Sequence, residues 1–210
     1  MRVVNARRTK HVSRSAAREQ RAAVADPGPV LEAAARFLEA RPRSVAETRR
    51  RLLDAGYPTS LVETALARLQ DLGYLDDAAF ARAWVESRDR AHPRGEAALR
   101  RELARKGVSD ELIAAVLAAR TAPRGGPEQL RPPPWMTSPA ARGDDADAAA
   151  ARRLLQRRTR ALLQELDPRK RRQKAYALLA RQGFDPETCR TAVSAWSEAA
   201  EAVTDADPDV

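Results

Sequence analysis

The sequence predicts an all-α protein made of three tandem three-helix repeats that form an elongated, curved helical array. Three observations predict this class. Apolar residues recur at helical spacing along most of the chain. Three glycines divide three similar pairs of helical segments, and almost no segment alternates as a strand does. Repeats of this kind bury a continuous core only by stacking on their neighbours.

The repeated unit is an amphipathic helix, a glycine, an apolar residue, a polar turn and a second amphipathic helix. A leucine stands four residues before each glycine. The three glycines are Gly56, Gly107 and Gly183, followed by Tyr57, Val108 and Phe184. Glycine ends a helix in the left-handed conformation without steric cost, and the next apolar residue packs back on the last turn. The pattern therefore predicts three helix–turn–helix pairs.

One further helix precedes each pair, and we place these helices at about residues 30–40, 77–90 and 147–166. Side chains that can cap a helix mark most helix starts. They are Ser44 with Glu47, Ser60 with Glu63, Ser109, Asp167 and Asp185. Asp76 and Asp77 stand between Gly73 and a helix, so capping is a better interpretation than a pair of catalytic carboxylates.

The spacing of the glycines locates an insertion. Gly56 and Gly107 are 51 residues apart, whereas Gly107 and Gly183 are 76 apart, and the excess of 25 matches a segment rich in proline and glycine. We interpret that segment as a tolerated insertion rather than a polyproline ligand anchored by Trp135. An insertion of this length is expected to loosen the coupling between the second and third repeats.

These features divide the chain into six segments. They are a basic, disordered N-terminal tail (1–28), repeat 1 (29–76), repeat 2 (77–120), a Pro/Gly-rich linker (121–146), a basic repeat 3 (147–198) and an acidic tail (199–210).

The net charge of +9 is unevenly distributed along the chain. Residues 148–196 contain twelve Lys or Arg and four acids, while residues 33–120 contain sixteen and thirteen. Residues 197–210 contain five acids and no base. A concentration of positive charge on one repeat is typical of a surface that meets a polyanion or an acidic protein.

The candidate binding residues are cations on successive turns of the predicted helices. In repeat 2, Glu96, Glu102 and Asp110 lie among them, so a solvated surface is the simpler interpretation there. In repeat 3 few acids intervene, and contact with phosphates or an acidic protein is favoured. The candidates are Arg100, Arg101, Arg105, Lys106, Arg152, Arg153, Arg157, Arg158, Arg169, Lys170, Arg171, Arg172 and Lys174.

The sequence contains no motif typical of an enzyme, a cofactor site or a metal site. His11 and His92 are isolated from other ligands and make no zinc site. Cys189, the one cysteine, takes the repeat position of Val62 and Ile113, so we expect a buried, inert side chain.

Tyr74, Phe80 and Trp84 could stack on nucleic-acid bases, but their spacing beside a helix start favours core packing. The longest apolar run is too short for a membrane span, and no secretory signal is apparent. We expect a cytoplasmic monomer.

Two stretches resemble one family of bacterial regulators. Residues 73–88, GYLDDAAFARAWVESR, with residues 99–107, LRRELARKG, resemble the central signature of the RecX regulatory proteins. Residues 167–184, DPRKRRQKAYALLARQGF, resemble that family's third repeat. The resemblance covers roughly residues 30–196 apart from the linker.

The resemblance implies a non-catalytic protein that lies in the groove of the RecA–DNA filament. It implies that such a protein blocks filament growth or promotes disassembly, and so inhibits the ATPase, strand-exchange and co-protease functions of RecA. Single- or double-stranded DNA is a further candidate partner, through repeat 3. Two alternatives stay open. One is a free-standing helical nucleic-acid-binding protein or transcription regulator, and the other is a helical scaffold for another acidic protein.

Overall fold

This computed structural model describes residues 15–120 and 139–206, and the described residues form helices and short turns without a strand. The all-α prediction is confirmed. Residues 1–14, 121–138 and 207–210 lie outside the described residues, and with them Trp135 and parts of the predicted tails and linker.

Ten helices lie within the described residues. They are α1 (residues 15–22), α2 (Gly28–Glu39), α3 (Val45–Ala55), α4 (Thr59–Asp71), α5 (Asp77–Ala91), α6 (Glu96–Arg105), α7 (Asp110–Ala118), α8 (Pro139–Leu163), α9 (Pro168–Arg181) and α10 (Pro186–Ala206). The triplets α2–α4, α5–α7 and α8–α10 correspond to the three predicted repeats.

Two helices extend into segments that the sequence assigned to irregular structure. Helix α1 lies inside the predicted disordered tail, where Arg21 donates a hydrogen bond to the carbonyl of Ala55 and so gives the segment a partner on repeat 1. Helix α8 begins at Pro139, inside the predicted linker. Proline suits the first turn of a helix and the alanines that follow extend it. The expectation of irregular structure is corrected at these residues.

The chain divides into two compact units. The first ends at Phe80 and also includes Lys106–Val108, and the second comprises Ala81–Arg105 and the described residues from Ser109 onward. In the first unit, the buried core contains Val30, Ala34, Leu52, Val62, Ala65, Leu66, Leu69 and Leu75. In the second unit, α8–α10 enclose a core of Ala150, Ala151, Leu155, Leu162, Ala175, Leu179, Phe184, Cys189, Ala192, Val193 and Trp196.

The predicted helix ends are largely confirmed. Gly56, Gly107 and Gly183 all have positive φ angles. Ser44 and Glu47 form the expected capping box at α3. Ser60 was the wrong cap for α4, because the helix begins two residues earlier than that cap implies, at Thr59, and Pro58 takes the capping position without a side-chain hydrogen bond.

The three aromatic residues assigned to the core differ in burial. Phe80 is 6% exposed, Trp84 is half-buried and Tyr74 is 70% exposed. The core assignment of Tyr74 was wrong. The turn after Gly73 instead directs Leu75, which is 3% exposed, into the core of the first unit.

Candidate functional site

Six of the thirteen candidate cations are exposed and form no ion pair or side-chain hydrogen bond with the described residues. Two of them are on α6, two on α8 and two in the first turn of α9. They are Arg101, Arg105, Arg152, Arg158, Arg169 and Lys170. Arg171 is half-buried and also lacks a carboxylate partner among these residues. These seven side chains could meet an external anion.

Three candidates hold the chain's own structure together. Lys106 Nζ lies 2.6 Å from Glu47 Oε1 within the first unit. In the second unit, Arg157 donates to the carbonyl oxygens of Ala91 at 2.8 Å and Arg90 at 2.7 Å, which end α5. Arg153 lies 3.9 Å from Asp89 Oδ1, and burial lowers the pKa of its guanidinium. These residues are poor candidates for binding a partner.

The remaining candidates are exposed but already have partners. Arg100 pairs with Glu96 at 2.9 Å and Lys174 with Glu165 at 2.5 Å. Arg172 Nε donates to Ser197 Oγ at 2.8 Å. Exposed pairs of this kind contribute little to stability and exchange readily with another anion.

A buried ion-pair network that the sequence did not reveal lies in the second unit. Arg120 is 6% exposed. It donates hydrogen bonds to the carboxylate of Asp89, to the carboxylate of Asp147 and to the carbonyl oxygen of Arg94. Burial disfavours the charge of Arg120, but the two carboxylates outweigh burial and raise its pKa. Burial raises the pKa of Asp147, although the N–H of Glu96 and Arg120 favour its charged form.

Arg120 and its partners join the second repeat to the third through direct contacts. Asp147 is in α8, and its Oδ2 also accepts the backbone N–H of Glu96 at 2.9 Å. The backbone N–H of Gly95 donates to the carbonyl of Gln182 at 3.1 Å. The expectation that the insertion loosens this coupling is therefore wrong, because direct contacts between the repeats hold them irrespective of the length of chain between them.

Glu102 is the centre of a second polar cluster. Its Oε2 accepts the indole N–H of Trp84 at 2.9 Å and the Nε–H of Arg88 at 2.7 Å, while Arg94 Nε lies 3.5 Å from Oε1. The Arg88 guanidinium lies over the Trp84 ring at 4.4 Å from its centroid. Burial raises the pKa of Glu102, but the hydrogen bonds from Arg88 and Trp84 outweigh it and the pKa is lowered. Trp84 thus has a structural role.

The turn between α8 and α9 combines exposed leucines with cations. Leu166 is 90% exposed and Leu163 is 37% exposed. Asp167 caps α9, accepting the N–H groups of Arg169 at 2.8 Å and Lys170 at 3.3 Å. Both cationic side chains are exposed, three and four residues after Leu166 in the chain. A leucine inside a polar turn was the only signal of this patch in the sequence.

The other sequence candidates have structural roles. Asp76 Oδ1 accepts the N–H groups of Ala78 at 2.8 Å and Ala79 at 2.9 Å, so it caps α5 as predicted. Asp77 instead accepts the N–H of Val45 at 2.9 Å. Cys189 is fully buried, and burial raises the pKa of its thiol.

No group of three or more His, Cys, Asp or Glu side chains among the described residues is placed to bind a metal ion. No helix in the same residues has the length and the apolar character needed to cross a membrane.

Three family models match the chain. The model of the first RecX three-helix domain matches residues 31–69, that of the second matches residues 76–117 and that of the third matches residues 145–193. The matched ranges correspond to α2–α4, α5–α7 and α8–α10.

Curated relatives and solved structures agree with the family models. The chain is 46% identical over 83 residues to "Regulatory protein RecX" of Mycobacterium sp. (strain KMS), an alignment that covers 40% of this chain and 45% of that protein. It is 39% identical over 124 residues to the protein of the same name from Mycolicibacterium vanbaalenii, covering 57% of this chain and 67% of that one. The alignment with the first of these relatives thus spans less than half of its length.

The crystal structure of RecX from Lactobacillus salivarius shares the fold. It matches with a TM-score of 0.63 at 16% identity, over 81% of this chain and 96% of that one. Three family domains in order, together with relatives and folds of the same family, leave one assignment. The chain belongs to the RecX family of regulatory proteins.

Proposed function

We propose that this chain binds the RecA–DNA filament and mainly inhibits the recombinase, ATPase and co-protease activities of RecA. One observation supports the proposal above the others. The chain contains three RecX domains, and the third has exposed cations without carboxylate partners among the described residues. The protein acts by occupancy, as a cytoplasmic monomer without catalytic activity of its own.

The third repeat is the main attachment point in this proposal. In the second repeat, Arg100 is paired with Glu96 and Lys106 with Glu47, which leaves Arg101 and Arg105 exposed without an ion pair among the described residues. Among the candidates, the third repeat has four such exposed cations, which are Arg152, Arg158, Arg169 and Lys170. Arg169 forms no ion pair among the described residues, and Lys170 has only a longer-range interaction with Glu165, which helps to lower the pKa of that carboxyl. Unpaired surface cations attract phosphates or carboxylates and release counterions on binding, so attachment weakens as the salt concentration rises.

The test is single-strand-DNA-dependent ATP hydrolysis by the cognate RecA, with this protein titrated in below one copy per RecA. Wild-type protein is expected to inhibit hydrolysis. The double substitution R169E/K170E is expected to weaken inhibition at least tenfold. The matched control is R50E/R68E, which reverses two exposed cations in α3 and α4 and changes the net charge equally.

The two alternatives predict different results. A free-standing nucleic-acid-binding protein would bind bare DNA tightly and leave ATP hydrolysis unchanged. A scaffold for another acidic protein would affect neither measurement. Equal loss of inhibition in R169E/K170E and R50E/R68E would show that inhibition depends on the net charge of the protein. It would contradict the third repeat as the main attachment point.

A further inference from the structure

The glycine turns of the repeats contact other helices in the same way. A Cβ atom added to Gly107 would lie 2.3 Å from the Cβ of Ala46, near the start of α3 in the first unit. One added to Gly183 would lie 2.6 Å from the Cβ of Ala98, near the start of α6 in the second unit. Each glycine turn therefore packs against the N-terminal end of the second helix of the preceding repeat.

Backbone hydrogen bonds complete the same arrangement at both places. Val45, the first residue of α3, donates its N–H to Asp77, and Glu96, the first residue of α6, donates its N–H to Asp147. Each acceptor stands at or near the start of the next repeat. The start of the second helix is thus a receiving surface, and the next repeat covers it.

The residues just before these helices are buried by that contact. Ser44 precedes α3 and donates to the carbonyl of Lys106 at 2.5 Å, and Gly95 precedes α6 and donates to the carbonyl of Gln182 at 3.1 Å. Both are buried, and both stand twelve residues before the glycine of their own repeat.

At the N-terminal end, α1 contacts the glycine turn of the first repeat in a comparable way. A Cβ on Gly56 would lie 2.5 Å from Cγ of Arg18. The Arg21 guanidinium donates to the carbonyl of Ala55 at 3.3 Å and lies 6.0 Å from the centroid of the Tyr57 ring. Helix α1 therefore covers this turn as α3 covers Gly107 and α6 covers Gly183. Terminal capping of this kind is typical of repeat proteins.

The receiving surface of the third repeat is different. No further glycine turn among the described residues covers the start of α9, and Arg172 is exposed at the position equivalent to half-buried Val45 and Glu96. Helix α9 also begins about one turn earlier, relative to its glycine, than α3 and α6 do. The additional turn contains Arg169 and Lys170.

We propose that the open end of the third repeat, which consists of Leu163, Leu166, Arg169 and Lys170, docks an acidic segment of the filament's protein subunit that contains an exposed apolar side chain. This proposal rests on the function proposed above and specifies the partner surface.

The chemistry of the open end favours a protein over DNA. Two cations would suit phosphates equally well, but a leucine that is 90% exposed gains nothing from a phosphate backbone. A peptide segment with an apolar side chain flanked by carboxylates complements both the leucines and the cations. Its apolar side chain removes Leu166 from water, and its carboxylates pair with Arg169 and Lys170.

The test compares two leucines of the full-length protein. L166D places a charge in the open end, while the control L72D alters an exposed leucine, 51% exposed, at the end of α4. Binding of each variant to RecA filaments assembled on single-stranded DNA and to the bare DNA is measured by fluorescence anisotropy. We expect L166D to weaken filament binding at least tenfold, without changing its affinity for bare DNA, and L72D to bind as wild type does.

A photo-crosslinker placed at residue 166 identifies the occupant directly. Crosslinking to the RecA subunit supports the proposal. Crosslinking to DNA, to a second copy of this chain or to its own acidic residues 201–210 would overturn it. If wild-type protein inhibits RecA but L166D inhibits equally, the open end is not the docking site and the proposed function stands. If wild-type protein does not bind the filament, both proposals fail.

Discussion

Arg120 and Arg169 belong to the same unit and have the same side chain, but they differ in burial and in ion pairing. Arg120 is buried between the carboxylates of Asp89 and Asp147. Arg169 is exposed and has no carboxylate partner among the described residues. The comparison teaches that net charge alone does not locate a binding surface. A cation inside an ion-pair network maintains the fold, and one without a partner remains available to another molecule.

The strongest test of this comparison removes the buried cation. We expect R120A to lower the free energy of unfolding by about 3–5 kcal/mol at neutral pH, because two carboxylates lose their partner in a buried site. The measurement is urea unfolding followed by circular dichroism. R101A, which removes an exposed arginine from α6, is the control and should change stability by less than about 0.5 kcal/mol. Equal effects would contradict the distinction.

The contact between the second and third repeats can be tested at a glycine. G183A adds a methyl group 2.6 Å from the Cβ of Ala98 at a positive φ angle. G73A has the same conformational strain, but nothing lies within 4 Å of the added atom. We expect a loss of about 1 kcal/mol for G73A and about 2–4 kcal/mol for G183A in thermal or urea unfolding. Identical losses would mean that the turn and α6 do not touch closely in solution.

Glu102 makes the stability of its polar cluster with Trp84, Arg88 and Arg94 sensitive to pH. Its folded pKa is lowered from the ordinary value of 4.5, so its contribution is present above that pH and is lost as the pH falls through the folded pKa. We expect E102Q to be less stable than wild type by about 1–2 kcal/mol at pH 7. The difference should shrink in acid, where Glu102 itself becomes protonated.

Unfolding curves between neutral pH and about pH 3 measure how the difference in the free energy of unfolding between E102Q and wild type decreases. E86Q, which removes an exposed carboxylate from the neighbouring helix α5, is the control. A stability difference between E102Q and wild type that does not change with pH would show that the charge of Glu102 is not what stabilises the cluster.

The smallest expected effect on stability belongs to the exposed cations. R169E/K170E should change the free energy of unfolding by no more than about 1 kcal/mol, because neither side chain has an ion pair to lose, while the acids disfavour the Asp167 cap only slightly. The same variant is expected to lose inhibition of RecA. A large loss of stability would mean that these residues maintain the fold as Arg120 does.

Local chemistry made much of the fold predictable from the sequence. Gly56, Gly107 and Gly183 end helices because only glycine adopts positive φ without cost. Ser44 caps α3 because its hydroxyl and Glu47 lie at the spacing that a capping box requires. Cys189 is buried because its position in the repeat is apolar in the other two repeats.

The sequence by itself determined the helix class, the threefold repeat and the excess of positive charge on the third repeat, because spacing and composition encode these properties locally. Only the tertiary structure decided which cations are available. Asp89, Arg120 and Asp147 are distant in sequence and meet only when the helices pack. Leu166 is 90% exposed, although an apolar residue flanked by polar ones in sequence can be either buried or exposed. Burial and pairing are properties of neighbours in space, which the spacing of one chain does not specify.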